Sequence, residues 1–318
     1  MLPPHHTANG FRNLDPAAGP RPPLDVLRWM LTRSRQGVRP SSLQARHYPR
    51  RSISPDSMRV FWIGHSAVLV EFGSGRRVLI DPVFGDRCSP VTWLGPRRYH
   101  PPGLPLEQVL PVDAVLISHN HYDHLDLTTI RKILSATAGA QRFIVPLRLG
   151  RWFAAKGAKC IEQLDWWETT DIAGIRVTAT PAQHWSKRGI GDLNRSLWCG
   201  YRLECAARSF YFSGDSGYFP GYREIGERFG AVEVAALPIG AYEPRWFMKV
   251  AHQSPEEAVQ AYRDLHAQTF MAVHHNTFPL TDEPADEPAK RLGIAWERAG
   301  YSYSRLWVPQ PGEDAVFG

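Results

Sequence analysis

The feature that most constrains this 318-residue chain is a cluster of histidines and an aspartate that directly follows a short apolar run. The run covers residues 114–117, and the cluster places His119, His121, Asp123 and His124 within six residues. A short apolar run of this kind is typical of a buried strand, and burying three imidazoles and a carboxylate at its end is costly unless a cation lies among them. Neutral imidazoles and carboxylates in this ratio suit zinc, with iron or manganese as alternatives where carboxylates bridge. The sequence therefore predicts a metal site at the end of a strand.

Three later apolar runs also end close to a residue that can bind a metal. In layered α/β proteins the carboxyl ends of the strands line one edge of the sheets, so four distant segments can deliver ligands to one cleft. Taken singly, each histidine is more typical of an ordinary hydrogen-bonded histidine and the aspartate of a turn residue, so the prediction depends on the convergence. The three runs and their residues are 175–180 with His184, 209–212 with Asp215, and 269–273 with His274.

The pattern of the chain changes near residue 57. Residues 1–57 are rich in proline, arginine and serine, which predicts an extended arm with one short amphipathic helix over residues 24–33. That helix either docks on the main domain or contacts a membrane surface. Residues 58–318 form the second predicted unit, in which short β-like runs begin with an antiparallel meander over residues 58–81.

Further strands and helices are predicted within this second unit. A strand, helix and strand over 113–117, 125–136 and 142–145 form a βαβ-like unit with the histidines at the first strand's carboxyl end. The residues Ser-Pro-Glu-Glu from Ser254 are a capping box that begins a helix, and another helix is predicted over 285–299.

Composition limits the location and the partners. The net charge is +6 with a pI near 9.2, which favours anions such as phosphate, lipid headgroups or nucleic acid, but no lysine/arginine run exceeds two residues, so we expect no nucleic-acid partner. The four cysteines show neither a CxxC pair nor the density of a disulfide scaffold. The first residues lack a signal-like apolar stretch, and no membrane-spanning run occurs. We therefore expect a cytoplasmic protein with reduced thiols, and we include peripheral membrane contact and a homodimer among the expectations.

Six segments carry a resemblance that spans most of the chain. Together with the metal-type residues, they resemble the metallo-β-lactamase superfamily, and most closely the N-acyl-phosphatidylethanolamine-hydrolysing phospholipase D family with its bacterial relatives. The segments are residues 62–66, 93–96, 116–126, 164–168, 183–188 and 238–249.

The resemblance implies an α/β fold, the four-layer αββα sandwich of the metallo-β-lactamases. It also implies two zinc ions and hydrolysis of a phosphodiester, of the phospholipase D type, in lipids like N-acyl-phosphatidylethanolamine. A hydroxide that bridges the two metals would be the nucleophile, with Asp123 and Asp215 as the catalytic carboxylates that support it. The implied ligands are His119, His121 and His184 for one zinc, Asp123, His124 and His274 for the other, and Asp215 as the bridge.

Other side chains near these segments are candidates for supporting a ligand or contacting substrate. Asp81 either accepts a proton from a ligand histidine or caps a turn, and His65 either orients a ligand, meets substrate or is an ordinary core histidine. Arg245 and Lys249 either pair with a phosphate or lie on a solvated loop. The remaining candidates of this kind are Tyr122, Tyr242 and His275.

One departure from the family pattern leaves the substrate open. The lipase-like members have His-Trp-Gly-Thr-Phe where this chain has His274, His275, Asn276, Thr277 and Phe278, so polar groups replace an aromatic residue and a glycine. The alternative function is a lactonase or a small-molecule phosphodiesterase of the same fold. A di-iron redox enzyme and an inactive scaffold are further alternatives, but the complete ligand set and the lack of a flavin domain argue against them.

Overall fold

A computed structural model describes residues 3–33 and 52–318, and within these ranges fourteen strands form two seven-stranded sheets. The first sheet contains β1 (Met58–Gly64), β2 (Ala67–Phe72), β3 (Arg77–Ile80), β4 (Ala114–Leu116), β5 (Arg142–Pro146) and β6 (Cys160–Leu164). The second contains β7 (Thr169–Ile172), β8 (Ile175–Thr180), β9 (Gly200–Cys205), β10 (Arg208–Phe212), β11 (Val232–Pro238), β12 (Ala267–Val273) and β13 (Leu306–Trp307). The last strand, β14 (Asp314–Phe317), returns to the first sheet beside β1.

Each sheet is part antiparallel and part parallel. In the order β14-β1-β2-β3-β4-β5-β6, the strands from β14 to β3 pair antiparallel and those from β3 to β6 pair parallel. In the order β13-β12-β11-β10-β9-β8-β7, the parallel part runs from β10 to β13. Parallel neighbours end at the same edge, so β3 and β4 in one sheet, and β10 and β12 in the other, present the chain that follows them at one edge.

The described part of the chain contains eight helices and one 3₁₀ turn (Tyr303–Arg305). Helix α3 begins where the Asp126 carboxylate accepts from the backbone of Thr128 and Thr129, and α7 begins at the reciprocal capping box of Ser254 and Glu257. The helices are α1 (Pro23–Thr32), α2 (Leu106–Val109), α3 (Leu127–Ala136), α4 (Gly150–Ala154), α5 (Gly221–Phe229), α6 (Arg245–Met248), α7 (Pro255–Asp264) and α8 (Glu287–Arg298).

Three apolar cores hold these layers together. The central core lies between the two sheets and contains Trp62 and Tyr201. A second core packs α3 and α4 against the outside of the first sheet, with Ile130 and Phe153 fully buried. The third packs α5, α7 and α8 against the outside of the second sheet around Trp296. Helices on the outer face of each of two stacked sheets make the predicted αββα sandwich, which is confirmed.

Most of the predicted elements are confirmed. The meander, the βαβ-like unit, the helix at the capping box and the arm helix all form within one to three residues of the expected bounds. None of the four cysteines forms a disulfide. No helix in the described ranges combines the length and apolarity needed to cross a membrane. Part of the predicted arm, residues 1–2 and 34–51, lies outside the described residues.

Candidate metal centre

The ends of four strands bring the predicted ligands together in two sets. The segment after β4 supplies His119 and His121, and the segment after β8 supplies His184. Nε2 of His119 lies 2.9 Å from Nδ1 of His121, and Nε2 of His184 lies 3.1 Å from the same atom. One nitrogen from each ring therefore lies within 4.8 Å of the other two, which is a set of three donors able to hold one metal ion.

The second set contains a carboxylate and lies beside the first. Nε2 of His274, after β12, lies 3.4 Å from Oδ2 of Asp123, and Nε2 of His124 lies 3.6 Å from it. Nε2 of His65 lies 3.0 Å from the same oxygen, so His65 also falls within this set. The sequence placed His65 among residues that support a ligand or contact substrate, not among the ligands.

Asp215 joins the two sets. Its Oδ2 lies 3.1 Å from Nε2 of His274, 3.2 Å from Nε2 of His124 and 3.9 Å from Nε2 of His184. Asp215 follows β10 in the central position between the ligands from β8 and β12, which is where a bridging carboxylate is required. The bridging role that the resemblance implies for Asp215 therefore has the corresponding geometry.

The first set is electrically neutral near pH 7. Burial and the neighbouring imidazole of His184 lower the pKa of His121 to about 3, and burial lowers the pKa of His184 to about 4. Burial and the imidazole of His124 hold the pKa of His119 well below its usual value. Each of these rings has a nitrogen lone pair free of a proton, which is the form that binds a metal.

The second set attracts positive charge. Burial disfavours the charged form of His274, but the negative charges of Asp215 and Asp123 have the larger effect and raise the pKa of His274 to about 9. Burial likewise opposes ionisation of Asp215, yet His124 and His274 hold its pKa well below the usual range. Buried carboxylates that need positive charge nearby are a suitable environment for a metal ion. A metal ion that binds there releases the protons of the histidines whose positive charge it replaces.

Unpartnered polar atoms provide the test of whether a metal fits these residues. Among the described residues, Nε2 of His124, Nε2 of His274 and Oδ1 of Asp215 are buried and have no hydrogen-bond partner. Leaving so many buried polar atoms unpaired is costly unless an ion binds them. The donor types, their burial and their unused lone pairs all fit a bound transition metal.

Asp81 contacts the predicted ligand His124 through the ring nitrogen that faces away from the donor set. Its Oδ2 lies 2.7 Å from Nδ1 of His124, and its carboxylate accepts from the backbone and hydroxyl of Ser118 at 2.7 and 2.5 Å. Fixing the far nitrogen of a ligand histidine turns the other nitrogen towards the metal. Asp81, His65 and His274 all have left-handed backbone conformations, with φ of 43°, 55° and 57°, a strain that tight packing maintains at functional sites.

The structure places the other candidates in different surroundings. The Tyr122 hydroxyl donates to the Arg188 carbonyl at 2.7 Å, and the Tyr242 hydroxyl donates to Glu287 at 2.8 Å. Arg245 pairs with Glu257 at 2.6 Å and donates to the His252 carbonyl, so its guanidinium joins α6 to α7.

Two further candidates complete the set. Lys249 is exposed just after α6. His275 is buried, its ring stacks on Trp62 at 4.9 Å, and neither ring nitrogen has a hydrogen-bond partner in the described ranges. It belongs to none of the metal-type groups among the described residues.

Two residues that sequence reasoning missed also lie at this cluster. His252 follows α6 and is partly exposed, with Nδ1 3.9 Å from Oδ2 of Asp215. No strand precedes it, so the pattern of apolar runs gave no signal. Asn13 lies in the predicted arm, yet its side-chain amide makes two hydrogen bonds with the backbone of His184. It accepts from the His184 N–H at 3.1 Å and donates to the His184 carbonyl at 2.8 Å. It also accepts from the Trp198 indole at 3.1 Å. An isolated asparagine in a proline-rich segment carries no sequence signal for such a role.

We expect Asn13→Ala to weaken metal binding about 10- to 100-fold, because the backbone that positions His184 loses its support. Loss of the buried hydrogen bonds should also reduce the free energy of unfolding by about 1–3 kcal/mol. Competition with a chromophoric chelator and denaturant unfolding measure the two effects. Asn9→Ala, at an exposed asparagine of the same segment, is the matched control. A folded Asn13→Ala variant with unchanged metal affinity would show that Asn13 does not position the ligand.

The fold and the site together define a metallo-hydrolase of the metallo-β-lactamase type, and comparison with known proteins agrees. The model of the Beta-lactamase superfamily domain matches residues 76–275, so the chain belongs to the β-lactamase superfamily. The chain is 38% identical over 242 residues to an N-acyl-phosphatidylethanolamine-hydrolysing phospholipase D of Caenorhabditis elegans, covering 73% of this chain and 67% of that protein.

Two other comparisons extend this relationship. An uncharacterized protein of Mycobacterium tuberculosis is 37% identical over 98% of this chain and 83% of its own length. The solved structure of Igni18, a metallo hydrolase of Ignicoccus hospitalis, shares the fold with a TM-score of 0.62 and 24% identity, over 82% of this chain and 99% of that one. The protein is therefore a metal-dependent hydrolase related to the phospholipases D that act on N-acyl-phosphatidylethanolamine.

Proposed function

We propose that this protein is a dinuclear zinc phosphodiesterase that cleaves lipids like N-acyl-phosphatidylethanolamine in the manner of a phospholipase D. The observation that carries the proposal is the pair of adjacent donor sets joined by Asp215. The reaction adds water across the bond between phosphorus and the ethanolamine oxygen. It releases phosphatidic acid and an N-acylethanolamine.

The proposed metal assignment follows the two donor sets. One zinc is held by His119, His121 and His184 and the other by Asp123, His124 and His274, with Asp215 shared. Metal ions bound there supply Lewis-acid activation of water and neutralise the phosphate charge. His and Asp donors without cysteine leave coordination positions for water and substrate, which favours a catalytic site over a structural one.

The chain's own residues prepare this site. Nε2 of His65 lies 3.0 Å from Oδ2 of Asp123, so the tautomer with a proton on Nε2 donates to that carboxylate and fixes its position. Burial holds the pKa of His252 well below its usual value, so its ring is neutral at pH 7, and its Nδ1 has no hydrogen-bond partner among the described residues. A neutral imidazole facing Asp215 can exchange a hydrogen bond with a substrate oxygen or the departing alcohol.

An exposed apolar face beside the site supports a lipid substrate. Helix α1 buries none of its residues, and Leu24 and Leu31 are each 78% exposed. The helix is nevertheless anchored on its other side. Trp29 stacks on Phe247 at 5.1 Å and donates to Asp282, while Arg33 donates to the Leu280 carbonyl at 2.8 Å.

The anchored helix therefore presents apolar side chains next to the loop that follows ligand His274. Met30 and Trp246 add to the exposed apolar surface, and the guanidinium of Arg28 lies 4.7 Å from the Trp246 ring. Leucine, methionine and tryptophan beside basic groups are the combination that binds an anionic lipid surface. We propose that this face rests on the cytoplasmic side of a membrane and brings the site to its substrate.

Turnover of two substrates tests the proposal. We expect hydrolysis of N-acyl-phosphatidylethanolamine in mixed micelles, with phosphatidic acid as a product detected by mass spectrometry. Bis(p-nitrophenyl) phosphate is the soluble comparison. Activity on the soluble diester alone would favour the alternative of a small-molecule phosphodiesterase. The observation behind that alternative is the buried His275, which replaces an aromatic residue of the lipase-like members. A lactone hydrolysed in preference to both diesters would favour the lactonase alternative.

A variant of α1 separates the lipid surface from the chemistry. Leu24→Glu combined with Leu31→Glu should raise the apparent KM for the micellar lipid about tenfold, because two apolar insertions are lost. Turnover of the soluble diester should stay unchanged. Ile294→Glu, at an exposed apolar residue of α8, is the matched control and should alter neither rate. If Ile294→Glu raised the apparent KM for the micellar lipid as much as the double variant of α1 does, docking through α1 would be contradicted.

A further inference from the structure

A second group of metal-type side chains lies in the amino-terminal segment. Nε2 of His5 lies 2.7 Å from Oδ1 of Asp165, and Nε2 of His6 lies 2.7 Å from Oδ2 of the same carboxylate. The three donor atoms all lie within 4.8 Å of one another. This group shares no residue with the catalytic centre, and Asp165 directly follows β6, the edge strand of the first sheet.

The backbone is shaped so that both imidazoles face the carboxylate. Consecutive residues of an extended chain point in opposite directions. Here a turn, closed by the His6 N–H on the Pro3 carbonyl at 3.0 Å, places the two rings 4.6 Å apart on one side. The chain then folds back as a short hairpin in which the Arg12 N–H donates to the His5 carbonyl at 2.9 Å.

The turn of this hairpin fits tightly against the sandwich. The Phe11 N–H donates to the Asn194 carbonyl at 2.8 Å. A Cβ atom on Gly10 would lie 2.0 Å from the same oxygen, so this position of the hairpin requires glycine.

Burial and stacking keep these donors ready to bind an ion. His5 is buried, and its ring stacks on Trp166 at 4.2 Å. Burial lowers the pKa of His5 although the hydrogen bond to Asp165 opposes the shift, so the ring is neutral at pH 7. The side chains of His6 and Asp165 remain 16% and 13% exposed, which leaves a path for an ion and for water to complete its coordination.

We propose that His5, His6 and Asp165 form a separate binding site for a divalent transition metal, with zinc the best match to two imidazoles and one carboxylate. Ligands about 2.0–2.1 Å from a tetrahedral zinc lie roughly 3.3 Å apart, so a shift of about half an ångström would open the present contacts to admit it. We call this group the amino-terminal clamp.

The clamp is connected to the catalytic centre through the hairpin. Asn13 comes directly after Arg12, whose N–H closes the hairpin on His5. The Asn13 side-chain amide makes two hydrogen bonds with the backbone of the proposed ligand His184. An ion in the clamp would therefore hold the segment that positions a catalytic ligand. Because the ion binds only the folded hairpin, it should stabilise that hairpin by mass action.

Metal counting by mass spectrometry after equilibrium dialysis against zinc tests the clamp. We expect His6→Ala to bind about one equivalent less than the unmodified chain, and Asp165→Asn to lose the same equivalent. His266→Asn, at an exposed histidine outside both groups, should lose none. His119→Ala should lower binding at the catalytic centre while the equivalent that depends on His6 remains, which separates this site from the proposed function.

A second measurement does not depend on counting. Zinc should slow tryptic cleavage after exposed Arg12 about tenfold more in the unmodified chain than in His6→Ala. Circular dichroism confirms that the variant is folded. Equal zinc counts in both proteins, together with no zinc anomalous peak between His5 and Asp165 in crystals of the unmodified chain, would overturn the proposal and leave a hydrogen-bonded clasp.

Discussion

Asp215→Asn is expected to reduce turnover about 10³-fold, because one substitution removes the charge shared by both donor sets. The Asp215 carboxylate lies 3.1–3.9 Å from three ligand histidines on separate segments. An asparagine preserves the shape of the side chain but turns one oxygen into an N–H₂ group, which cannot bind a metal. The measurement is kcat/KM on the substrate that the unmodified enzyme hydrolyses, together with the zinc content.

The matched control for Asp215 is Asp56→Asn, an exposed aspartate beside β1, which should leave the rate unchanged. Circular dichroism and thermal unfolding establish that Asp215→Asn is folded. A folded Asp215→Asn variant with a near-normal rate and a full zinc content would show that Asp215 does not join the two sets.

The second large effect is expected at Asp81. Its carboxylate is completely buried and accepts three hydrogen bonds from Ser118 and His124. Burial raises the pKa of Asp81 while His124 and Ser118 oppose that shift, so the carboxylate depends on these donors to stay ionised. Asp81→Asn should weaken metal binding about 10- to 100-fold, because His124 loses the acceptor that orients it.

Asp81→Ala should add a loss of folding stability to the loss of metal. Removing one member of a buried charged network reduces the free energy of unfolding by about 3–5 kcal/mol. Metal competition measures the first effect for both variants, and denaturant unfolding measures the second. Should Asp81→Asn keep the affinity of the unmodified chain, the contact with His124 is a structural turn contact and not a support of the ligand.

The cluster of histidines and aspartates could be predicted because its members follow the ends of strongly apolar strands. The runs of residues 114–117 and 175–180 have the β-branched composition of buried strands, so the positions of His119 and His184 at the sheet edge followed from pattern alone. The division of the ligands between two metals came instead from family resemblance. Spacing along the chain does not determine which imidazoles from different segments meet.

The sequence reading missed two interior strands of the second sheet, β9 and β11, and also the four strands at the sheet edges. For the edge strands there is a physical explanation. Strand β6 has the sequence Cys-Ile-Glu-Gln-Leu and is mostly exposed because it forms the edge of its sheet, so it shows neither a buried run nor a clean alternation. Strands β13 and β14 are short or half-exposed. Edge strands gain their structure from a neighbour, and that information is not local in the sequence.

The amino-terminal segment is where local reasoning failed most. Its proline-rich composition predicted an extended arm, but Phe11 is buried in the central core and Asn13 hydrogen-bonds the backbone of His184, a predicted ligand. The Asn13 hydrogen bonds join it to His184, 171 positions away along the chain. Arg245, a candidate for binding phosphate, proved to pair with Glu257. Such contacts depend on the assembled sandwich, which no window of sequence contains.

The most direct test of the central claim is an anomalous scattering map of the zinc-loaded protein, recorded at the zinc absorption edge. Our account predicts two adjacent peaks, one among His119, His121 and His184 and the other among Asp123, His124 and His274, with Asp215 in contact with both. A single peak in this cluster, or zinc bound only outside it, would contradict the dinuclear centre on which the proposed hydrolysis depends.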